Sequence, residues 1–385
     1  MEMPKRDVLI LGGGPSGLST ALHLARDFPH LIPRILILEK AHYPRLKLCA
    51  GGLVSDAEVI LKRLGLDVTE IPHVDVDTAH FDFAGKGLSL RIPGTHTIRV
   101  IRRNEFDAWL AGKTREKGIE IREGITIKDV RTYDDHVSVE TDAGIFTAQV
   151  VIGADGSNGV TRRCVLPHAP VYTARALEVI TPINQTVNPT HKERDAYFDF
   201  FPVPDNVSGY TWDFPTLIDG QPMRCWGIYD TNLLANESRP ALKELLAQEL
   251  ARHGYDLDSV ELKGHPIRWF SPENKMSVPR VLLVGDAVGA DPIFGEGISI
   301  ALGYGAVAAR EIGESFQRND FSFTGYRRRV LRSALGQSLL ARWFLTQVVY
   351  PLKWRWFQIL LWRIFKPVVV VIAWIFILNW GKRLN

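Results

Sequence analysis

The amino-acid sequence predicts an α/β fold: a Rossmann-type βαβ unit at the N-terminus, an antiparallel sheet inserted into that domain, and a helical tail. Three observations carry the prediction. A glycine turn follows the first apolar run, the middle of the chain is strand-rich and punctuated by proline and glycine, and the tail combines tryptophan with basic residues and holds no acid after Asp320.

The first unit is the sharpest. Asp7-Val-Leu-Ile-Leu11 reads as a buried strand and ends in Gly12-Gly13-Gly14-Pro15-Ser16-Gly17. Leu18, Ala21, Leu22 and Ala25 then recur at helical spacing, and a second β-branched run, Ile35-Leu-Ile-Leu38, ends in Glu39 and Lys40. The acid lies 22 residues past Gly17. Strand, glycine turn, helix, strand and acid in this order form a dinucleotide-binding fingerprint. Gly12 makes the tight turn, Gly14 lets the backbone approach a pyrophosphate, and Gly17 lets the helix pack on the strand. The helix N-terminus offers free N–H groups to phosphates, and Glu39 accepts hydrogen bonds from a ribose. This unit alone does not separate FAD from NAD.

Two later segments bear on that choice. Val281-Leu-Leu-Val284 reads as a strand and runs into Gly285-Asp286-Ala287-Val288-Gly289-Ala290-Asp291-Pro292-Ile293-Phe294-Gly295-Glu296-Gly297-Ile298. A strand ending in Gly-Asp puts a carboxylate at the carboxyl edge of a sheet, where a polyol hydroxyl is within reach. Upstream, Val150-Val-Ile-Gly153-Ala154-Asp155-Gly156-Ser157 ends another strand, and Arg103 opens a helical stretch before Phe106-Asp107-Ala108-Trp109-Leu110. In this order the segments resemble the flavoprotein superfamily of aromatic hydroxylases, flavin halogenases and geranylgeranyl reductases, over residues 5 to about 330. The resemblance implies FAD bound extended, on the turn that includes Pro15 and Ser16. Glu39 and Lys40 would lie at the adenosine and Gly285-Asp286 at the ribitol. Arg103 and Asp155 would flank the cofactor, and Pro292, Gly295, Glu296, Gly297 and Ile298 would lie near the isoalloxazine.

Three segments resemble the geranylgeranyl reductase branch. Pro44-Arg45-Leu46-Lys47-Leu48-Cys49-Ala50-Gly51-Gly52-Leu53 is similar to its Lys-x-Cys-Gly-Gly element, with Ala50 where glycine is usual. Cys49, Gly51 and Gly52 are thereby expected beside the flavin. Tyr210-Thr211-Trp212-Asp213-Phe214-Pro215 is similar to a Tyr-x-Trp-x-Phe-Pro segment. In a strand Tyr210, Trp212 and Phe214 share one face and would form an aromatic wall for an apolar chain. Hydroxylases usually carry histidine after Gly-Asp-Ala and then Gly-Gln-Gly; Val288 and Gly295-Glu296-Gly297 stand there instead. Cys49, Tyr210 and Trp212 are the candidate catalytic residues, with Tyr210 read either as a proton donor or as plain wall.

Charge and composition narrow the partners. Net charge is +3, but eleven basic residues follow Asp320, leaving 35 basic against 43 acidic residues before it. The body therefore carries −8 and the tail +11, an asymmetry that calls for a partner. No nucleic-acid signature accompanies it. Three widely spaced cysteines (Cys49, Cys164 and Cys225) argue against disulfides or metal clusters, and the eleven histidines show no ligand spacing, so no metal is expected. Six of the ten tryptophans fall after residue 342, interleaved with Lys and Arg, and Pro351 and Pro367 divide the tail into three short helices. The longest apolar run, Pro367 to Leu378, has 12 residues. At ~1.5 Å per residue it spans about 18 Å against ~30 Å of bilayer core, which suits an interfacial anchor better than a crossing.

The expected organisation is an FAD-binding domain in three parts (1–75, 101–165 and 275–335), a substrate domain in two (76–100 and 166–274), and amphipathic membrane-anchoring helices over 336–385. In the substrate domain, strands are expected over Tyr172 to Ile180, Ala196 to Phe201 and Arg224 to Asp230, and a helix over Pro240 to His253. The expected activity is reduction of carbon–carbon double bonds in a prenyl-lipid substrate. NAD(P)H or a small electron carrier would be the reductant, since no second glycine-rich βαβ unit is present. The absence of a secretory signal and the cysteine usage place the protein on the cytoplasmic face of a membrane, peripheral or monotopic. Two rivals stay open: an FAD monooxygenase acting on a lipid-soluble aromatic or isoprenoid, and a non-catalytic membrane flavoprotein that carries electrons or senses redox state.

Overall fold

The computed structural model describes residues 6–183 and 193–384. Residues 184–192, inside the stretch expected as the substrate domain, lie outside the described residues.

The apolar runs at Arg6–Leu11, Ile35–Leu38, Gly144–Gly153 and Val281–Leu283 form the parallel centre of an eight-stranded mixed sheet. Their side chains are buried on both faces at the centre, which is why the sequence shows continuous apolar runs there rather than alternation. Glu120–Arg122 extends the parallel part, while Val137–Thr141, Ile127–Thr132 and Ser277–Val278 add antiparallel edges. Register does the functional work. Leu11 lies opposite both Leu38 and Gly153, and Gly153 lies opposite Leu283. The residues after each strand therefore gather at one carboxyl edge: Gly12 to Gly14, Glu39, Ala154-Asp155 and Gly285-Asp286. Helix Pro15–Asp27 starts at this edge and packs against the long helix Ile298–Arg318.

The second sheet has seven strands, ordered Lys263–Arg268, Thr173–Pro182, Gln221–Asp230, Gly209–Ile218, Asp195–Asp199, Thr78–Asp82 and Gly87–Arg91. It is antiparallel except for one pair, Asp195–Asp199 with Thr78–Asp82, which runs parallel because the latter strand arrives from the other domain segment. The expected helix over Pro240 to His253 occurs as Leu242–Arg252. Its Leu245, Leu246 and Leu250 cover Val179, Trp226 and Ile228 on one face of the sheet. Tyr210, Trp212, Phe214 and Tyr229 occupy the opposite face, as strand alternation requires.

The tail is more than an appendage. Helix Ala334–Val349 is capped by the Ser333 hydroxyl, which accepts from the Gly336 N–H at 3.2 Å. The helical segments Arg355–Ile364 and Lys366–Arg383 follow, bent by 78° at their junction. No single helix among the described residues is long and apolar enough to cross a membrane. The tail tryptophans, read from sequence as interfacial, divide into two sets. Trp354, Trp356 and Trp374 are exposed, whereas Trp362 and Trp380 are buried in the protein's own core and Trp343 packs half-buried against it. Trp380 seats against Gly303, where a Cβ would fall 2.6 Å from its ring. Burying one such ring contributes roughly 3 kcal/mol, enough to hold the tail on the body.

Candidate functional site

At the strand edge the backbone is shaped by glycine. Gly12 adopts φ +110°, and a Cβ there would sit 2.4 Å from the Ala154 carbonyl oxygen. A Cβ on Gly17 would sit 2.1 Å from the Gly12 oxygen, so helix and turn close only without side chains. Helix Pro15–Asp27 begins with no side-chain cap, leaving its first N–H groups for another acceptor. Glu39 is buried behind the turn, where its carboxylate accepts from the Gly13 N–H at 2.8 Å and the Ala41 N–H at 3.0 Å. Asp286 accepts from the Ser157 hydroxyl at 3.3 Å. Asp155 turns partly inward: one oxygen accepts from the Thr161 N–H and hydroxyl at 2.8 and 2.9 Å, starting the helix Val160–Val165, and the other is buried without a partner.

A cationic group lies beside this edge. Arg103 grips the fully buried Asp107 with two hydrogen bonds, at 2.8 and 2.9 Å, and Arg45 reaches the same carboxylate at 2.9 Å. Burial opposes the charge on Arg103, but Asp107 more than offsets it and the guanidinium stays charged. Lys47 lies 2.5 Å from His265 Nε2. Burial pulls both groups down, His265 to about 4, so the imidazole is neutral and accepts from the lysine. The Cys49 sulfur accepts from the Gly51 N–H at 3.4 Å. Burial pushes its pKa up against the pull of Arg103, so Cys49 rests as the thiol rather than a thiolate nucleophile.

Beyond these groups the cavity, of about 1020 Å³, becomes apolar. One side is the aromatic face of the second sheet, including Phe81, Phe198, Tyr210, Trp212 and Phe214; another is the tail, through Leu345, Val349, Leu361, Trp362 and Val369. The loop Asp291 to Phe294 joins the two sides. Tyr210 donates to the Phe294 carbonyl at 2.5 Å, Tyr350 of the tail to the Ile293 carbonyl at 2.5 Å, and Tyr229 to the Pro292 carbonyl at 3.2 Å. Burial pushes all three phenols far above their ordinary range. The Tyr210 proton is thus committed to a backbone carbonyl, an arrangement that favours the wall over the proton donor. Tyr210→Phe is expected to keep the cavity wall and cost about 1 kcal/mol, from the lost hydrogen bond, in a urea melt. A loss above about 3 kcal/mol would show that the hydroxyl holds more than this loop.

Most residues expected to hold a cofactor line one continuous cavity wall: Gly12, Gly14, Pro15, Ser16, Glu39, Lys40, Cys49, Gly51, Gly52, Arg103, Asp155, Asp286 and Gly295 to Ile298. Gly17, Gly285 and Pro292 stand behind that wall. Gly17 and Gly285 (φ +59°) permit close backbone packing, and Pro292 presents a carbonyl to Tyr229. Arg45, Asp107, His265 and Arg342 were not singled out from sequence. Arg45 stands in the Pro44–Leu53 segment and Asp107 one helical turn after Arg103, but no spacing in the sequence pairs Arg45 with Asp107, His265 with Lys47 or Arg342 with Asp291; the fold does.

The donor set suits an extended FAD. The uncapped helix and the open face of Gly14 would take the pyrophosphate. The Arg45 Nε, buried with no hydrogen-bond partner and 3.8 Å from the Glu39 carboxylate, supplies a further donor near that face, and Glu39 and Asp286 would meet the two polyols. A flat ring would lie against Gly51-Gly52 and Gly295 to Gly297, facing the aromatic chamber.

Comparison with known proteins agrees with this geometry. The chain is 28% identical over 338 residues to an uncharacterised protein of Methanosarcina barkeri, covering 87% of this chain and 81% of that one. It is 25% identical over 341 residues to digeranylgeranylglycerophospholipid reductase 3 of Methanosphaera stadtmanae, covering 84% and 81%. Among solved structures, a geranylgeranyl bacteriochlorophyll reductase-like protein from Thermoplasma acidophilum superposes with a TM-score of 0.73 at 22% identity, covering 90% of this chain and 88% of that one, a likeness of fold. The FAD binding domain family model matches residues 5–303, and the chain belongs to that family of FAD-dependent oxidoreductases.

Proposed function

We propose that the protein saturates carbon–carbon double bonds of a prenyl chain, as a reductase of the geranylgeranyl type. The observation that carries this reading is the continuity of one cavity, from the glycine turn to a chamber walled by aromatic and aliphatic side chains. Such a chamber takes an apolar chain and gives little purchase to a charged substrate. The name of the reductase from Methanosphaera stadtmanae supports the same substrate class.

Reduced FAD, when bound, supplies the hydride equivalent that an alkene carbon needs. The residues of this chain do the rest. Phe198, Tyr210, Trp212 and Phe214 fix the chain over the ring position and exclude water, which an unactivated alkene requires because it is a poor hydride acceptor. Arg103, held by Asp107, keeps positive charge at the cofactor, and the protonated Cys49 beside Gly51 tunes the ring's surroundings. The reductant is NAD(P)H or a small electron carrier that docks transiently. Anaerobic incubation of dithionite-reduced protein with candidate prenyl lipids tests the activity. A gain of about two mass units per bond is expected; no gain with any lipid, and oxygen insertion in air, would instead indicate the monooxygenase.

The tail holds the enzyme on the cytoplasmic face of a membrane, where such a substrate resides. Trp354, Trp356, Val368, Val371, Trp374 and Phe376 are exposed, with Arg355, Arg363, Lys366 and Lys382 beside them in sequence and no acid in the tail. Each basic residue near an anionic leaflet contributes about 1 kcal/mol. Binding to vesicles rich in anionic phospholipid is expected to exceed binding to neutral vesicles at least tenfold and to weaken with salt. Equal binding to both would exclude the electrostatic part of this anchor.

A further inference from the structure

We infer that the tail segment Lys366 to Phe376 is a lateral gate, seated in the leaflet, through which the prenyl chain passes directly between bilayer and cavity. The inference rests on the prenyl-chain reading above and adds the route.

The first observation is that this helix is apolar on both sides. Val369, Val370, Ile372 and Ala373 line the cavity, whereas Val368, Val371, Ile375 and Phe376 face outward and are half or more exposed. Trp374 does both: it lines the cavity and is 54% exposed, so it stands at the rim. A helix apolar all round is stable only where both sides are apolar. The cavity supplies one side, and the hydrocarbon edge of a leaflet supplies the other. A single helix, roughly 10 Å across, is the whole partition between them.

The second observation is how the partition is attached. Before it, Arg363 is pinned to the Phe83 and Lys86 carbonyls at 2.7 and 3.3 Å, and Trp362 stacks on Phe200 at 4.1 Å. After it, the Ile377 carbonyl accepts from Arg342 at 3.0 Å, and the Asn379 and Gly381 N–H groups donate to Asp56 at 3.1 and 2.7 Å. Between those anchors, no side chain from Lys366 to Phe376 makes a hydrogen bond or close ion pair with the body among the described residues. Apart from the charge of Lys366 acting on Asp82, only apolar contact holds the span down, and contact of that kind is exchanged for lipid at little cost. The helix is also irregular at both ends, with wide π-type turns at Leu360–Ile364 and Ala373–Ile377. Turns of this kind occur frequently at functional sites, and here they hold the anchors Trp362, Arg363 and Ile377 at either end of the span.

The test follows a fluorescent prenyl probe, carried in phosphatidylcholine vesicles, as it transfers to the FAD-loaded protein. Passage through a leaflet-seated gate requires collision, so the transfer rate is expected to rise in proportion to vesicle concentration. Val371→Asp with Phe376→Asp, two outward positions that do not line the cavity, is expected to slow transfer at least tenfold. The same double variant should bind probe delivered from cyclodextrin within twofold of the parent. A rate indifferent to vesicle concentration, or transfer unchanged in the variant, overturns the gate. Failure of the parent protein to bind cyclodextrin-delivered probe overturns the prenyl reading itself, and the gate with it.

Discussion

Gly14→Val is expected to give a folded protein that is colourless. Gly14 holds an ordinary extended conformation (φ −84°, ψ −178°), so a β-branched residue meets no backbone strain there. A Cβ at this position would touch nothing of the protein closer than the Arg45 guanidinium, at 3.4 Å. The cost to folding is that of a poorer helix cap, about 1 kcal/mol. The cost to the cofactor is expected to be larger, because the two added methyl groups would occupy the face proposed to take the pyrophosphate at the helix N-terminus. FAD affinity should fall at least ~100-fold, equivalent to about 2.7 kcal/mol. The ratio of absorbance at 450 nm to that at 280 nm in purified protein, with a flavin-fluorescence titration, measures it, and a thermal melt confirms folding. A variant that purifies as yellow as the parent would mean that the phosphates lie elsewhere.

That prediction was accessible from sequence because the information is local. Strand, turn, helix and acid lie within residues 7 to 39, and each step is fixed by backbone geometry that only glycine or a strand-forming run supplies. The aromatic face of Tyr210, Trp212 and Phe214 was legible for the same reason, since alternation along one strand fixes which side chains share a face. What escaped is what two distant segments make together. Lys47 belongs to a recognisable loop, yet nothing marks His265, 218 positions later, as its partner. Likewise, the parallel pairing of Asp195–Asp199 with Thr78–Asp82 has no local signature. The tail misled in an instructive way. Tryptophan and arginine in alternation read as an interfacial helix, and for Trp354, Trp356 and Trp374 the exposure agrees. Trp362, Trp380 and Arg342 share that composition but are buried, because their helices also have an inward face. A clue existed: a tail without acids cannot satisfy a buried arginine, so a partner had to come from the body.

Arg342 supplies the second large effect. It is 2% exposed and lies 2.5 Å from Asp291 and 3.3 Å from Glu296, while donating to the Ile377 carbonyl at 3.0 Å and the Ser338 hydroxyl at 3.2 Å. One guanidinium therefore joins the tail to both ends of the segment that runs into Gly295 to Gly297. Replacing it with methionine leaves two buried carboxyl groups facing one another without a cation, a change that typically costs about 3–5 kcal/mol. Asp291→Asn in addition should recover part of that loss, since one of the stranded charges is gone. The pH dependence has a definite sign. Burial pushes the Glu296 carboxyl up and Arg342 pulls it back, so the variant carboxyl titrates higher still. A folded-state pKa above the unfolded one contributes stability that is present at low pH and lost as pH rises through the folded value. The deficit of Arg342→Met should therefore be largest near about pH 8 and shrink toward about pH 5, as the Glu296 carboxyl takes up a proton. Urea melts at the two pH values decide it. A deficit that stays constant would mean that the arginine acts through packing alone. A deficit that shrinks, accompanied by a shifted flavin spectrum in the loaded variant, would show that the tail holds the cofactor loop by charge.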